Sequence, residues 1–122
     1  MAKAAQATGI DSRRSPRRVF NRGVGVLCEG QYEVVQALQI SEGGLAFVTA
    51  SRLNVGDCLV VTMVIPGGNG LVLRGSVVNS RDPIGKMNSY GIEFKTLDLH
   101  QRRMIRSYVS AKTQAEAERE ED

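Results

Sequence analysis

The chain has 122 residues, a formal net charge of +3, two cysteines and one histidine, which suits one domain around a single hydrophobic core. It contains no apolar run near the roughly 20 residues of a membrane helix and no apolar stretch of a secretory signal at its N-terminus, so we expect a cytoplasmic protein without membrane insertion. Cys28 and Cys58 lack CxxC spacing and His100 stands alone, which argues against a zinc site, a disulfide framework and a histidine-based enzyme.

The N-terminal part is dominated by arginine. Residues 1–12 are small and polar without periodicity, which predicts a flexible arm. Five arginines follow within ten residues, with no carboxylate among them: Arg13, Arg14, Arg17, Arg18 and Arg22. A guanidinium presents a planar, permanently charged fork that suits phosphate oxygens and the O6/N7 edge of guanine. Pro16 favours extended backbone around it, so Arg14 and Arg18 should project to the same side of an extended segment.

Short strands separated by turn signals are predicted along the middle of the chain, at residues 19–28, 32–40, 45–49, 59–65, 71–80 and 90–94. Between the fourth and fifth strands, Asn69-Gly70 is a strong hairpin signal because both residues tolerate positive φ. Residues 81–88 are predicted to form a loop before the last strand.

The closing segment changes to a helical period, with Ile105, Tyr108 and Val109 on one face. Asp98 is a good N-cap, and Gln101 follows three residues later as in a capping box. The apolar stripe fades after residue 112, and residues 113–122 are strongly acidic, which predicts a disordered acidic tail. The predicted fold class is therefore all-β, a six-stranded antiparallel β-barrel with one C-terminal α-helix packed on its outside or across an open end.

The segment Gln39-Ile40-Ser41-Glu42-Gly43-Gly44 ends the second predicted strand. Ser41 can present a hydroxyl group to a ligand, and the two glycines can bring the backbone close or adopt positive φ. A β-turn joining two strands is expected here under any function, and Gly44 is better explained by backbone geometry than by direct contact. Gln39 offers a carbonyl acceptor for the N–H groups of guanine.

These motifs resemble those of a known family. Residues 13–18, Arg-Arg-Ser-Pro-Arg-Arg, resemble the RRxxxR signature of the bacterial PilZ domain, residues 39–44 resemble its second signature, (D/N)xSxxG, and residues 90–94 are similar to its closing strand. The resemblance covers residues 11–111 and implies a PilZ-type barrel that binds the second messenger cyclic di-GMP. In that family the arginine segment forms a mobile loop that closes over the ligand, above the second motif. The positions that match are Arg13, Arg14 and Arg18 in the first motif and Ser41 and Gly44 in the second, while Gln39 stands where the family usually has Asp or Asn.

The layout that follows is a flexible arm at residues 1–12, a PilZ-like domain at 13–112 and the acidic tail at 113–122. Within the domain, residues 13–18 form the arginine clamp, 19–95 the barrel and 98–112 the helix. The ligand-binding residues implied by the resemblance are Arg13, Arg14, Arg18, Gln39, Ser41 and Gly44.

The predicted function is a non-enzymatic cyclic di-GMP receptor with no metal or cofactor, in which the ligand orders the arginine arm and alters docking to a separate partner protein. One alternative is a PilZ-like protein adaptor that binds no ligand. Another is a small barrel that binds single-stranded nucleic acid, although such barrels use aromatic platforms and this chain has no Trp and only scattered aromatic residues. We therefore expect no stable nucleic-acid complex, and a monomer or weak dimer.

Overall fold

Six strands follow one another along the chain in the computed structural model, which describes the backbone of residues 17–121 and the side chains of residues 17–111. The predicted arm, Arg13 and Arg14 lie outside the described residues. The strands are β1 (Arg18–Cys28), β2 (Gln31–Ile40), β3 (Gly44–Thr49), β4 (Cys58–Val64), β5 (Gly70–Ile84) and β6 (Met87–Lys95).

The strands close into an antiparallel barrel in the order β1-β2-β3-β6-β5-β4. β4 closes the barrel by pairing with β1, where Val26 lies opposite Val61. Because the barrel is closed, each strand pairs with a neighbour on both sides. This arrangement confirms the predicted all-β class and the six-stranded antiparallel barrel.

The barrel interior is filled by the apolar residues that alternate along each strand. On β4 and β5, Val61 lies opposite Leu73 and Met63 opposite Leu71, and all four side chains are buried. Full burial of such a side chain is worth about 1.5–3 kcal/mol relative to leaving it in water. The period-two pattern that predicted these strands therefore also identifies the residues that hold the barrel together.

The predicted loop at residues 81–88 is wrong. β5 continues to Ile84, a two-residue turn follows at Gly85, and β6 begins at Met87, which pairs with Ile84. Residues 78–87 are exposed, so this ribbon has no buried face to impose an alternating pattern on the sequence. Gly85 has a φ of 61°, as expected of glycine at the first position of a tight hairpin turn.

The hairpin between β4 and β5 is present, but its backbone differs from the expectation. Positive φ falls on Gly67, at 78°, and not on Asn69-Gly70. The Gly68 amide donates to the carbonyl of Ile65 at 2.8 Å, so the chain reverses direction before it reaches the Asn-Gly pair. The Asn69-Gly70 pair thus predicts the position of the hairpin correctly, but the residues predicted to make the turn are wrong.

One helix, α1 (Leu99–Glu121), follows the barrel. Its buried side chains Ile105 and Val109 belong to the barrel core, and the ring of Tyr108 meets that of Phe20 edge-on at 5.7 Å. The helix ends well beyond the predicted residue 112, where a disordered tail was expected. Residues 113–121 contain mainly Ala, Glu, Gln and Arg, which are strong helix formers and can continue a helix that the barrel has already nucleated. Within residues 17–121, no helix is long and apolar enough to cross a membrane.

The predicted capping box at the start of α1 is confirmed. The Gln101 amide donates to Asp98 Oδ1 at 2.7 Å, and the Asp98 amide donates to Gln101 Oε1 at 3.1 Å. Each side chain thus satisfies a backbone N–H group that the helix itself leaves without a partner.

Replacing Asp98 by alanine is expected to cost about 1 kcal/mol, since it removes this cap, and to lower the melting temperature by about 4–8 °C. Thermal denaturation followed by circular dichroism measures the change. Asp82→Ala, on the exposed β5–β6 ribbon, removes the same charge without a cap and serves as the control. Equal shifts in the two variants would show that the cap contributes nothing.

Candidate functional site

One groove on the barrel surface collects three of the predicted site residues, Gln39, Ser41 and Gly44. Gln39 lies on β2, and the other two belong to the turn that leads into β3. The described residues enclose about 280 Å³ here. This volume lies near the lower end of the range of about 300–1,000 Å³ that is usual for small-molecule sites.

The Ser41–Gly44 turn is held by backbone hydrogen bonds. The Ser41 amide donates to the carbonyl of Gly44 at 2.9 Å, and the Phe94 amide on β6 donates to the carbonyl of Gly43 at 2.8 Å. The hydroxyl oxygen of Ser41 accepts from the Gly43 amide at 3.2 Å. Because a hydroxyl group has one proton and two lone pairs, Ser41 keeps its proton for a further acceptor.

Gly44 is required by the close approach of β3 and β6. It lies opposite Glu93, and a Cβ at this position would overlap the carbonyl oxygen of Ile92. Its φ is not in the positive range, so conformational freedom is not the reason for glycine here. The geometry agrees with the expectation that Gly44 serves the backbone.

Gln39 carries an unusual acceptor. Among the described residues, its Oε1 is the buried side-chain oxygen that has no hydrogen-bond partner. A buried polar atom without a partner costs about 1–3 kcal/mol, so an incoming N–H donor would recover that energy. The longer side chain that stands in place of Asp or Asn thus lines the groove and keeps one acceptor without a partner.

The side chains of Arg17 and Arg18 point to different parts of the molecule. Arg17 lines the groove, whereas Arg18 turns away from it and places its guanidinium 3.6 Å from the ring centroid of Tyr108. Arg18 Nη1 also donates to the backbone carbonyl of Tyr108 at 2.9 Å. Adjacent residues on extended backbone point to opposite sides, which explains the split. The structure therefore does not bring Arg18 together with Gln39, Ser41 and Gly44 as expected.

Three polar groove residues outside the arginine cluster and the 39–44 segment were missed by sequence reasoning: Asn79, Arg81 and Glu93. Arg81 lies on the part of β5 that was assigned to a loop. Asn79 follows an irregularity in the β5–β6 pairing after Val77, so simple alternation does not predict its direction. A Cβ on Gly91 would come within 2.6 Å of Asn79 Oδ1, so glycine there leaves room for this amide beside the groove. A predicted fifth strand that continued to Ile84 would have placed Arg81 on a strand next to the groove.

The turn is also connected to helix α1. Arg106 Nε and Nη2 donate to the two carboxylate oxygens of Glu42 at 2.7 and 3.1 Å, and Arg102 Nη1 lies 4.0 Å from the same carboxylate. The hydrogen bond from Arg106 lowers the pKa of Glu42. Glu42 is therefore ionised at neutral pH and links the turn to the helix by a two-pronged ion pair.

Among the described residues, no group of three or more His, Cys, Asp or Glu side chains is placed to hold a metal ion. Cys28 and Cys58 are free thiols. Burial raises the pKa of Cys28, so this thiol is protonated at neutral pH and is a weak nucleophile.

Comparison with solved structures finds the same fold in several proteins. The inhibitor of motility MotI/DgrA of Bacillus subtilis matches with a TM-score of 0.77 and 17% identity, over 84% of this chain and 52% of that one. MrkH of K. pneumonia, solved as a complex with c-di-GMP, matches with a TM-score of 0.67 and 20% identity, over 88% and 55%. The PilZ domain of Escherichia coli YcgR, solved with c-di-GMP, matches with a TM-score of 0.66 and 12% identity, over 91% and 98%.

The chain thus spans about half the length of MotI and MrkH and nearly all of the isolated YcgR domain. A search of the curated proteins found no match. The family model of the PilZ domain matches residues 11–111, which include the arginine cluster, all six strands and most of the barrel-packing part of α1. The chain therefore belongs to the PilZ domain family.

Proposed function

We propose that this protein is a non-enzymatic receptor for cyclic di-GMP and that the ligand binds in the groove formed by Gln39, Ser41 and Gly44. The observation that carries the proposal is the buried Oε1 of Gln39, an acceptor without a partner on a residue that lines the same groove as two arginines. Membership of the PilZ family and the fold shared with two proteins solved with c-di-GMP support the choice of ligand.

The groove residues match the chemistry of a guanine dinucleotide. Guanine presents N–H donors on its Watson–Crick edge, which suit the free acceptor of Gln39. The ligand's phosphates are anionic, and Arg17 and Arg81 line the same groove. The remaining proton of Ser41 can be donated to a phosphate or carbonyl oxygen. Gly44 contributes the close strand approach that positions these groups and makes no contact of its own.

The second set of ligand contacts is assigned to the arginine arm, with Arg13, Arg14 and Arg18 as the contacting residues. Ordering six residues costs on the order of 6–12 kcal/mol of backbone entropy, while each hydrogen bond between charged groups returns about 1.5–3 kcal/mol. Several bidentate arginine contacts, or stacking of guanidinium groups on guanine, are therefore needed before the arm closes. When the arm closes, the ligand's phosphates partly neutralise the positive charge of the arginines. The surface that a partner protein meets is then different, and so is the partner that can dock.

Calorimetric titration of the protein with cyclic di-GMP tests the proposal. We expect saturable binding that weakens as salt is raised, because ion pairs with phosphate are screened. Parallel titrations with single-stranded oligonucleotides separate this function from nucleic-acid binding. Tight oligonucleotide binding without a response to the dinucleotide would contradict the proposal, and the absence of binding to either ligand would favour a protein adaptor.

A further inference from the structure

Helix α1 is attached to both ends of the candidate site. At one end, Arg18 donates to the Tyr108 carbonyl and stacks on its ring, with the guanidinium carbon 3.6 Å from the ring centroid. At the other end, Arg106 holds the carboxylate of Glu42 within the Ser41–Gly44 turn. The arginine cluster and the 39–44 segment thus contact the same helix, at Tyr108 and at Arg106.

Arg18 lies next to the groove in the backbone although its side chain points elsewhere. It pairs with Ile40 on β2, between Gln39 and Ser41, which both line the groove. An irregularity after Val19 separates this first part of β1 from the regular pairing that begins at Arg22. A rotation confined to this first part of β1 would bring Arg18 to the groove.

We propose that Tyr108 competes with the ligand for Arg18: helix α1 holds this arginine out of the groove in the free protein, and ligand binding withdraws it. The inference rests on the proposed function and adds a way in which ligand binding is regulated. Tyr108, which does not line the groove, then sets the affinity for the ligand. By thermodynamic reciprocity, the ligand must weaken the attachment of α1 to β1 as much as that attachment weakens ligand binding. The helix is thereby the element that reports the bound state to a partner.

Substitution of Tyr108 tests the competition. Tyr108→Leu removes the ring from beneath Arg18 and is expected to tighten cyclic di-GMP binding by roughly 2- to 30-fold, the equilibrium equivalent of a cation–π contact. Tyr108→Phe keeps the ring and is the matched control, with binding equal to that of the unaltered protein. Calorimetry on the full chain measures all three. Equal or weaker binding by Tyr108→Leu, with normal binding by the unaltered protein, overturns the competition and leaves the proposed function standing. Absence of binding by the unaltered protein overturns both.

A second measurement needs no variant and so does not depend on the folding of Tyr108→Leu. In the free protein the side-chain protons of Arg18 lie over the Tyr108 ring and should show an upfield ring-current shift in the NMR spectrum. Saturating cyclic di-GMP is expected to remove that shift and to speed amide hydrogen exchange in α1 around Tyr108. If the shift persists in the saturated complex, Arg18 stays on the helix, and Arg17 is the arginine that serves the groove.

Discussion

Replacing Gly44 by alanine is expected to lower the melting temperature of the protein by roughly 5–20 °C. The new Cβ would overlap the carbonyl oxygen of Ile92, so β3 and β6 must move apart at the point where the Ser41–Gly44 turn is attached. Overpacking of this kind costs about 1–3 kcal/mol, and each kcal/mol corresponds to about 4–8 °C for a domain of about 100 residues. Thermal denaturation by circular dichroism or calorimetry measures the loss.

Gly43 provides the matched control because it is the neighbouring residue in the same turn. Among the described residues, a Cβ on Gly43 would meet only the hydroxyl oxygen of Ser41 within 4 Å, at 3.9 Å, and the φ of Gly43 is not in the positive range. Gly43→Ala should therefore leave the melting temperature within about 2 °C, or raise it slightly by reducing the entropy of the unfolded chain. Similar losses in both variants would mean that the turn as a whole, and not the approach of Gly44 to β6, limits the stability.

The barrel was predictable because most of its strands have a buried face. Leu71, Leu73 and Val77 alternate with polar or exposed residues, and the same alternation in the pairing strand sets the register. Residues 81–87 lack this signal since both faces of the ribbon are exposed there, which is why the sequence favoured a loop at 81–88. The capping box of α1 was predictable for a different reason, because Asp98 and Gln101 interact within one helical turn.

The candidate site was predictable where it is local in sequence. Gln39, Ser41 and Gly44 lie within six residues of one another, and their grouping survives in the structure. Asn79 and Arg81 reach the same groove through strand pairing across the barrel, which no local pattern encodes. The contact between Arg18 and Tyr108 joins residues ninety positions apart, which the spacing of the arginines does not encode.

Binding of cyclic di-GMP is expected to be lost when Arg14 is replaced by alanine, while the melting temperature of the free protein stays nearly unchanged. Two hydrogen bonds from one guanidinium to a phosphate or to guanine are worth about 1.5–3 kcal/mol each, so their loss weakens binding by roughly 10²- to 10⁴-fold. Arg14 precedes β1 in the sequence, and the buried core residues begin at Phe20, which is why the free protein should keep its stability. Calorimetric titration and thermal denaturation of the same samples measure both properties.

Two further variants separate the guanidinium fork from its charge. Arg14→Lys keeps the positive charge but cannot make the planar bidentate contact, so most of the affinity should still be lost. Arg52→Ala removes an equal charge from an exposed position that does not line the groove, and should change the affinity by less than about threefold through long-range electrostatics alone. If Arg52→Ala weakens binding as much as Arg14→Ala does, the arginine arm acts only through net charge. Normal binding by Arg14→Ala would exclude this arginine from the site, and the groove would then have to hold the ligand with Arg17 and Arg81.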